Sequence, residues 1–286
     1  MRLGIFAKTF AGLQPGDVLQ AAASAGYSAV QYNWACSGLG ALPQAIPDEA
    51  GDAVQQAAQS HGVSVSAISA TYNMLTPDMG QREAGRRAFT AIATQAHRMG
   101  TSLITLCTGS RDAADQWRHH PENASADTWA DMLREFEFLL PLAEAHDVTL
   151  GVEPELGNAV SSAAKARKLL DTFKSPRIKI VFDAANLFEQ ADARQRQAII
   201  DEAAGLLAGD IIMAHAKDRK ADGSFAAAGH GVIDFAAYFT TLRRAGFAGH
   251  VITHGLDAAE APAVAQFLTP QMQAAGLPVE TPRTRT

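Results

Sequence analysis

The sequence lacks any apolar run long enough to cross a bilayer, which takes about 20 consecutive apolar residues. Its opening residues, MRLGIFAKTF, reach Lys8 after a short apolar stretch, too short for the core of a secretory signal peptide. Cysteine is scarce, since only Cys36 and Cys107 are present, far apart in the chain. We therefore expect a cytoplasmic protein with reduced thiols and no membrane partner.

Basic residues are fewer than acidic ones. The sequence has 24 lysines and arginines against 30 aspartates and glutamates, which gives a formal net charge of -6. The basic residues are dispersed, so the sequence gives no sign of a nucleic-acid partner. No low-complexity tract or linker rich in Pro, Gly and Ser divides the 286 residues. These absences favour one domain, residues 1–275, followed by a polar tail over residues 276–286.

What the sequence does contain is an alternation of short apolar and longer amphipathic segments, typical of βα units around a parallel sheet. Several helical segments end at a glycine that can close a helix, for example Gly26, Gly62 and Gly100. Eight strands are the number that closes a barrel, so we predict an α/β fold, a single (β/α)8 TIM barrel. The predicted strands span residues 2–7, 28–32, 63–69, 102–107, 148–153, 178–183, 210–215 and 250–254.

The last four predicted strands each end on a residue type that binds metal ions: Glu153, Asp183, His215 and His254. The carboxyl ends of neighbouring barrel strands lie side by side, so these side chains can converge on one ion. Two carboxylates and two imidazoles suit Mn²⁺, Zn²⁺, Fe²⁺ or Co²⁺ better than Ca²⁺, and Mg²⁺ stays a candidate. The coincidence predicts a divalent metal site, although each residue taken alone is more often a cap or a solvated side chain.

The segments GVEPE, VFDAAN, AHAKD and GHVITHGL, in this order at the ends of strands five to eight, resemble the xylose isomerase-like barrel superfamily. That group includes sugar and sugar-phosphate isomerases, epimerases, a dehydratase and endonuclease IV. The resemblance implies a metal held by Glu153, Asp183, His215 and a fourth residue, which is glutamate in the epimerases. Here the fourth position is His254, so the two-glutamate proton shuttle of the epimerases does not carry over unchanged. Asn186 also departs from the pattern, since relatives often have a substrate-contacting histidine there.

A divalent ion polarises the carbonyl of a hydroxyketone or hydroxyaldehyde and stabilises the enediolate that forms when the neighbouring carbon loses a proton. Glu155, two residues beyond Glu153, is the candidate base outside the ligand set, and Glu153 itself is the alternative. Lys217 lies two residues beyond His215 and would face a substrate oxygen if the strand stays extended. A solvated carboxylate and a loop salt bridge are the structural alternatives for Glu155 and Lys217.

The segment TGSRDAADQWRHHPEN after strand four is long and polar, as expected of a lid or a substrate-recognition loop. Trp117 could stack on a sugar ring, and Arg118 could bind a phosphate or carboxylate. Alternatively, Trp117 packs the loop down and Arg118 pairs with an acid. Gly229 and Gly231 predict a flexible loop before the seventh helix. The remaining candidates for substrate contact are Tyr72, Asn73, His119, Asn186 and His230.

The sequence therefore predicts a metal-dependent isomerase or epimerase acting on a small sugar, a sugar phosphate or a related hydroxy-carbonyl compound. A dehydratase or lyase is the first alternative, because it needs the same metal and base but expels a β-hydroxyl. A barrel that binds a ligand without chemistry is the second, favoured by His254. Endonuclease activity is disfavoured, since the additional metal ligands and a basic surface are missing. A homo-oligomer is compatible with the sequence, which does not rank the exposed helix faces.

Overall fold

The structure, a computed structural model that describes residues 1–280, contains a closed barrel of parallel strands. In chain order the strands are β1 (Leu3–Phe6), β2 (Ala29–Tyr32), β3 (Ser64–Ser69), β4 (Leu103–Leu106), β5 (Thr149–Val152), β6 (Ile178–Asp183), β7 (Ile211–Ala216), the short pair β8 (Asp218–Arg219) and β9 (Phe225–Ala226), and β10 (His250–Thr253). Around the barrel the hydrogen-bonded order is β1-β10-β7-β6-β5-β4-β3-β2. The predicted (β/α)8 barrel is confirmed, and each predicted strand matches an observed one to within one residue at either end.

The outer layer consists of α1 (Pro15–Ser24), α2 (Asp48–His61), α3 (Met79–Gln95), α4 (Ala126–Ala145), α5 (Ala163–Phe173), α6 (Ala193–Leu206), α7 (Phe235–Arg244) and α8 (Ala261–Ala274). Local signals in the sequence set several of their ends. Ser125 caps α4 by accepting a hydrogen bond from the backbone N–H of Thr128. Gly62 closes α2 with φ of 66°, a left-handed conformation that costs glycine little. Within residues 1–280, every helix is too short or too polar to span a bilayer.

The barrel interior is filled by a small cluster of buried apolar side chains: Ala67, Leu103, Val181, Met213 and Ile252. Side chains alternate between the two faces of a strand, so residues two positions apart share a face. Asp183 and His215 follow Val181 and Met213 by two positions, and they pair in register at the ends of β6 and β7. The packing that fills the barrel therefore also turns these polar side chains inward at its carboxyl end.

The start of the predicted tail packs against the barrel. Leu277 is buried, and the backbone N–H of Glu280 donates to the carbonyl of Met1 over 2.8 Å. Residues 281–286 of the predicted tail lie outside the described residues, so its boundary stays a prediction. Cys36 and Cys107 are both buried free thiols.

Candidate metal centre

Four side chains with metal-binding atoms meet at the carboxyl ends of β5, β6, β7 and β10. Glu153, Asp183, His215 and His254 each offer one ligand atom, and these atoms all lie within 4.8 Å of one another. The first three side chains are buried, while His254 is partly exposed. The four residues predicted as ligands from strand ends are thus brought together in space.

The ring of His215 uses both of its nitrogens. Its Nδ1 lies 3.0 Å from Oε1 of Glu153 and 3.9 Å from Oδ2 of Asp183. Its Nε2 lies 2.8 Å from Oε1 of Gln31, a residue of β2 on the other side of the barrel. Burial acts to lower the pKa of His215, but the carboxylates of Glu153 and Asp183 outweigh it and raise that pKa. Nδ1 is therefore the nitrogen that faces the other candidate ligands.

Asp183 lies between two cationic or potentially cationic groups. Its Oδ2 is 3.2 Å from Nε2 of His254 and 3.2 Å from Nζ of Lys217. Burial acts to raise the pKa of Asp183, but Lys217 and the histidines hold it well below its usual range. Burial, and then the neighbouring His215, lowers the pKa of His254. The lowered pKa favours the neutral His254 ring, which is the form in which imidazole binds a metal.

Asn186 connects the ligand set to the predicted base. Its Nδ2 donates to Oε1 of Glu153 over 2.9 Å and to Oε1 of Glu155 over 2.7 Å. Its Oδ1 accepts a hydrogen bond from Nζ of Lys217 over 2.8 Å, which fixes the orientation of the amide. Burial and the charge of Glu153 raise the pKa of Glu155 to about 8, against the opposing effect of Lys217. Glu155 is thus a carboxyl group that can take up and release a proton near neutral pH.

The donor set fits a divalent transition metal. Carboxylate and imidazole donors at this proximity are the ligands that Zn²⁺, Mn²⁺, Fe²⁺ and Co²⁺ prefer. The buried carboxylates of Glu153 and Asp183 need compensating positive charge. Lys217 supplies one charge to Asp183, and a divalent ion held by the four residues would supply the rest. The residues present are therefore compatible with the metal that the sequence predicts.

A cavity of about 440 Å³ opens above these residues, within the usual size range of small-molecule sites. Glu155, Lys217 and the aromatic residues Trp117 and Phe225 all line it. Trp117 and Phe225 are 49% and 48% exposed. Nζ of Lys217 lies 4.0 Å from the ring centroid of Phe225, which is a cation–π contact. The cavity is thus lined by charged and polar side chains next to the candidate ligands and by two aromatic side chains that are partly exposed to solvent.

The loop that bears Trp117 is fastened to its surroundings by side chains. Nδ2 of Asn158, in the loop after β5, donates to the carbonyl of Gln116 over 2.9 Å. The hydroxyl of Ser110 donates to the carbonyl of Arg118 over 2.6 Å. The predicted lid or recognition loop therefore packs on the neighbouring loop and presents Trp117 to the cavity.

Tyr72 and Asn73 line a neighbouring cavity, and their polar groups have protein partners. The hydroxyl of Tyr72 donates to Oε2 of Glu135 in α4 over 2.9 Å. The Asn73 amide accepts from the backbone N–H groups of Leu75 and Ser110 and donates to the carbonyl of Ser110. These two residues thus hold β3 to the loop after β4 and to the helical layer. Their predicted contact with substrate stays a prediction.

Three other predicted substrate contacts lie away from the metal ligands. Arg118 is exposed and lies 3.4 Å from the carboxylate of Asp112, as the alternative of pairing with an acid expects. His119 lines an outer cavity that also contains Trp117 and Glu155. His230 is exposed, lies 3.5 Å from a carboxylate oxygen of Glu260, and lines a different cavity.

Several polar residues near the site were not predicted, among them Gln31, the partner of His215, and Thr105, the partner of Gln31. Asp218 was also not predicted, and its fully buried carboxylate accepts hydrogen bonds from the N–H groups of Gly229, Gly231 and Ile233. The loop expected to be flexible is thus anchored on Asp218. The sequence signal was the acid that follows Lys217 in AHAKD, which was not connected with the later glycines.

Comparison with known proteins gives a consistent picture of the fold. The structure of L-ribulose 3-epimerase is similar with a TM-score of 0.73 and 18% identity, over 96% of this chain and 95% of that chain. For 3-keto-D-glucoside 4-epimerase YcjR from E. coli the TM-score is 0.68 and the identity 16%, over 96% and 99% of the two chains. For the IolI protein with a bound zinc atom the TM-score is 0.69 and the identity 17%, over 96% of this chain and 98% of that chain. At this level of identity the similarity shows the fold alone.

Comparison by sequence shows which family the chain belongs to. No curated protein matches the chain by sequence. The model of the family described as xylose isomerase-like TIM barrel matches residues 19–270, which is most of the chain and includes all four candidate ligands. The chain therefore belongs to the xylose isomerase-like TIM barrel family.

Proposed function

We propose that the protein is a divalent-metal-dependent isomerase or epimerase of a small sugar, a sugar phosphate or a related hydroxy-carbonyl compound. The observation that carries the proposal is the convergence of four ligand atoms within 4.8 Å, three of whose residues, Glu153, His215 and His254, line a cavity together with Glu155 and Lys217. The names of structural neighbours that act on ribulose, psicose and a ketoglucoside support the same substrate class. The neighbour with zinc supports zinc as one candidate metal.

Each group in the cavity has a role in proton transfer next to a carbonyl. A divalent ion bound by the four ligands would polarise the carbonyl of the substrate. Glu155 accepts the proton from the neighbouring carbon, since its pKa of about 8 lets it hold and return that proton. The Nδ2 group of Asn186, 2.7 Å from Oε1 of Glu155, holds the carboxyl in place. Lys217 donates to a substrate oxygen, because Asp183, Glu155 and Glu153 raise its pKa against the opposing effect of burial and keep it charged.

His254 in place of a glutamate affects the choice between the two reactions. Epimerisation requires that a proton leave one face of the carbon and return to the other, which takes two groups. Isomerisation between an aldose and a ketose needs one base that moves a proton between adjacent carbons on the same face. Glu155 alone suffices for isomerisation, whereas epimerisation here also requires Glu153 to act as an acid or base.

The test is metal analysis combined with proton exchange. We expect the purified protein to bind about one Zn²⁺, Mn²⁺ or Co²⁺ and to incorporate solvent deuterium at carbon in a panel of aldoses and ketoses, without loss of water. An Asp183→Asn variant should lose both properties, while His97→Asn, at an exposed position just after α3, should keep them. Full metal content in Asp183→Asn would contradict the site. Bound metal with no exchange on any sugar would favour the non-catalytic barrel.

A dehydratase is the second candidate, and Lys217 favours it. This buried ammonium lies 3.8 Å from Glu155 and lines the cavity, so it could protonate a departing β-hydroxyl after Glu155 removes the adjacent proton. An unsaturated or keto-deoxy product, formed with loss of water, would favour this reaction over isomerisation.

A further inference from the structure

The side chain of Gln31 crosses the barrel to the candidate metal ligand His215. Gln31 belongs to β2, which lies in the opposite half of the barrel from β7, and it is 6% exposed. Its Oε1 lies 2.8 Å from Nε2 of His215, and its Nε2 donates to Oγ1 of Thr105 in β4 over 3.0 Å. Both the oxygen and the nitrogen of the Gln31 amide thus have a hydrogen-bond partner.

The pairing of β2 with β3 is irregular beside Gln31. Val30 pairs with Val65 of β3 and Gln31 with Ala67, so Ser66 of β3 is an extra residue and the register shifts by one. Such bulges increase the local twist and are frequent beside active sites. The irregularity therefore lies next to the position from which an amide reaches His215.

The chemistry of the imidazole decides which end of the amide faces it. Nδ1 of His215 lies on the side of Glu153 and Asp183, so it is the nitrogen that would bind an ion. A neutral imidazole that binds through Nδ1 carries its hydrogen on Nε2, and that buried N–H needs an acceptor. Oε1 of Gln31 is that acceptor. The amide NH2 then points to Thr105, whose hydroxyl accepts from it.

We propose that Thr105 and Gln31 position His215 for metal binding, by keeping the hydrogen on Nε2 and the lone pair of Nδ1 directed at the ion. This inference rests on the metal site of the proposed function. Gln31 acts through His215 and is a positioning residue. Outer hydrogen-bond partners of metal-binding histidines typically change metal affinity by about 10- to 100-fold when they are removed.

Zinc affinity, measured by competition with a chromogenic chelator, tests this relay. Gln31→Leu removes the acceptor and should weaken Zn²⁺ binding by about 10- to 100-fold. Gln31→Glu keeps an oxygen in front of Nε2 and should retain most of the affinity. Thr105→Val removes the partner of the amide NH2, and its Zn²⁺ affinity should lie between those of Gln31→Leu and Gln31→Glu. The matched control is Gln95→Leu, since Gln95 is also a buried glutamine but donates to Asp48 in the helical layer.

A second readout separates positioning from general damage to the fold. In the zinc-loaded wild type, nitrogen NMR of labelled histidine should report an Nε2-protonated, Nδ1-bound ring for His215, and Gln31→Leu should disturb this pattern. Unchanged zinc affinity and ring pattern in Gln31→Leu, or an equal loss of affinity in Gln95→Leu, would overturn the relay but leave the metal site standing. A wild type that binds no zinc or other divalent ion would overturn both proposals.

Discussion

At the residue scale, His250 lies at the end of the barrel opposite the candidate metal ligands. Its ring makes the free energy of unfolding depend on pH. Its Nδ1 lies 2.5 Å from the hydroxyl of Ser66 at the start of β3. Burial, then the amino-terminal ammonium and Arg2, lowers the pKa of His250 below its ordinary value near 6.5. The unfolded chain therefore takes up the ring proton at a higher pH than the folded chain does. The neutral ring makes its full contribution to the free energy of unfolding above about pH 6.5. That contribution is lost as the pH falls through the pKa of His250 in the folded protein, which is the lower of the two.

Replacing His250 by glutamine should make the stability less sensitive to acid. Glutamine can still bond to Ser66 but does not titrate, so the free energy of unfolding should fall less steeply than in the wild type between about pH 7 and 5. Urea unfolding at a series of pH values measures this slope. Parallel curves for the two proteins would show that His250 does not contribute to it.

The sequence was informative about individual residues wherever a residue type and a strand end coincided. Glu153, Asp183, His215 and His254 were predicted because metal-binding side chains at the carboxyl ends of adjacent strands have to lie close together. Gln31 could not be predicted this way, because an amide within a strand carries no signal of its own. Its role depends on a register shift and on contacts across the barrel, neither of which a periodicity reveals.

At the scale of elements, the loops after β4 and β5 form one packed unit. A Cβ atom added to Gly157 would clash with the carbonyl oxygen of Trp117, so the two loops touch through their backbones. The buried Asn158 binds the Trp117 loop at two points, accepting from the N–H of Gly109 over 2.7 Å and donating to the carbonyl of Gln116 over 2.9 Å. The position of Trp117 therefore depends on the loop that begins with Glu153.

Asn158→Ala should release the loop that bears Trp117. Loss of the side chain leaves buried backbone groups without partners, which costs about 1–3 kcal/mol of unfolding free energy. Limited digestion with trypsin should then cut after Arg118 faster than in the wild type, and chemical unfolding should give the loss of stability. An exposed control, His230→Asn, should change neither. Equal digestion of Asn158→Ala and wild type would indicate that other contacts hold the loop.

Prediction of elements succeeded where a hydrophobic period extends over several residues and failed where a single side chain organises a loop. All eight barrel strands were predicted from apolar runs. The short pair β8 and β9 was not, because each strand has only two residues and no period. The same holds for the loop around Asp218, where a buried carboxylate replaces hydrophobic packing.

For the whole molecule, metal binding should raise the resistance to heat. A ligand that binds only the folded state stabilises it by about 2.7 kcal/mol at 100 times its dissociation constant. For a chain of this size such a gain corresponds to a rise of roughly 4–5 °C in Tm. Differential scanning fluorimetry with Zn²⁺ or Mn²⁺ should show this rise, and EDTA should reverse it. Asp183→Asn should show no rise, and an equal rise in that variant would place the ion elsewhere.

The four candidate ligands come from β5, β6, β7 and β10, which form one continuous half of the ring. From the other half, β1 to β4, Gln31 contacts the candidate ligand His215 and is itself bonded to Thr105, while Cys107, directly after β4, lies 3.9 Å from Oε2 of Glu153. Residues of this half also line the cavity. If the proposed function holds, variation in the loops after β1 to β4 that leaves Gln31, Thr105 and Cys107 unchanged should alter the accepted substrate more readily than the reaction itself.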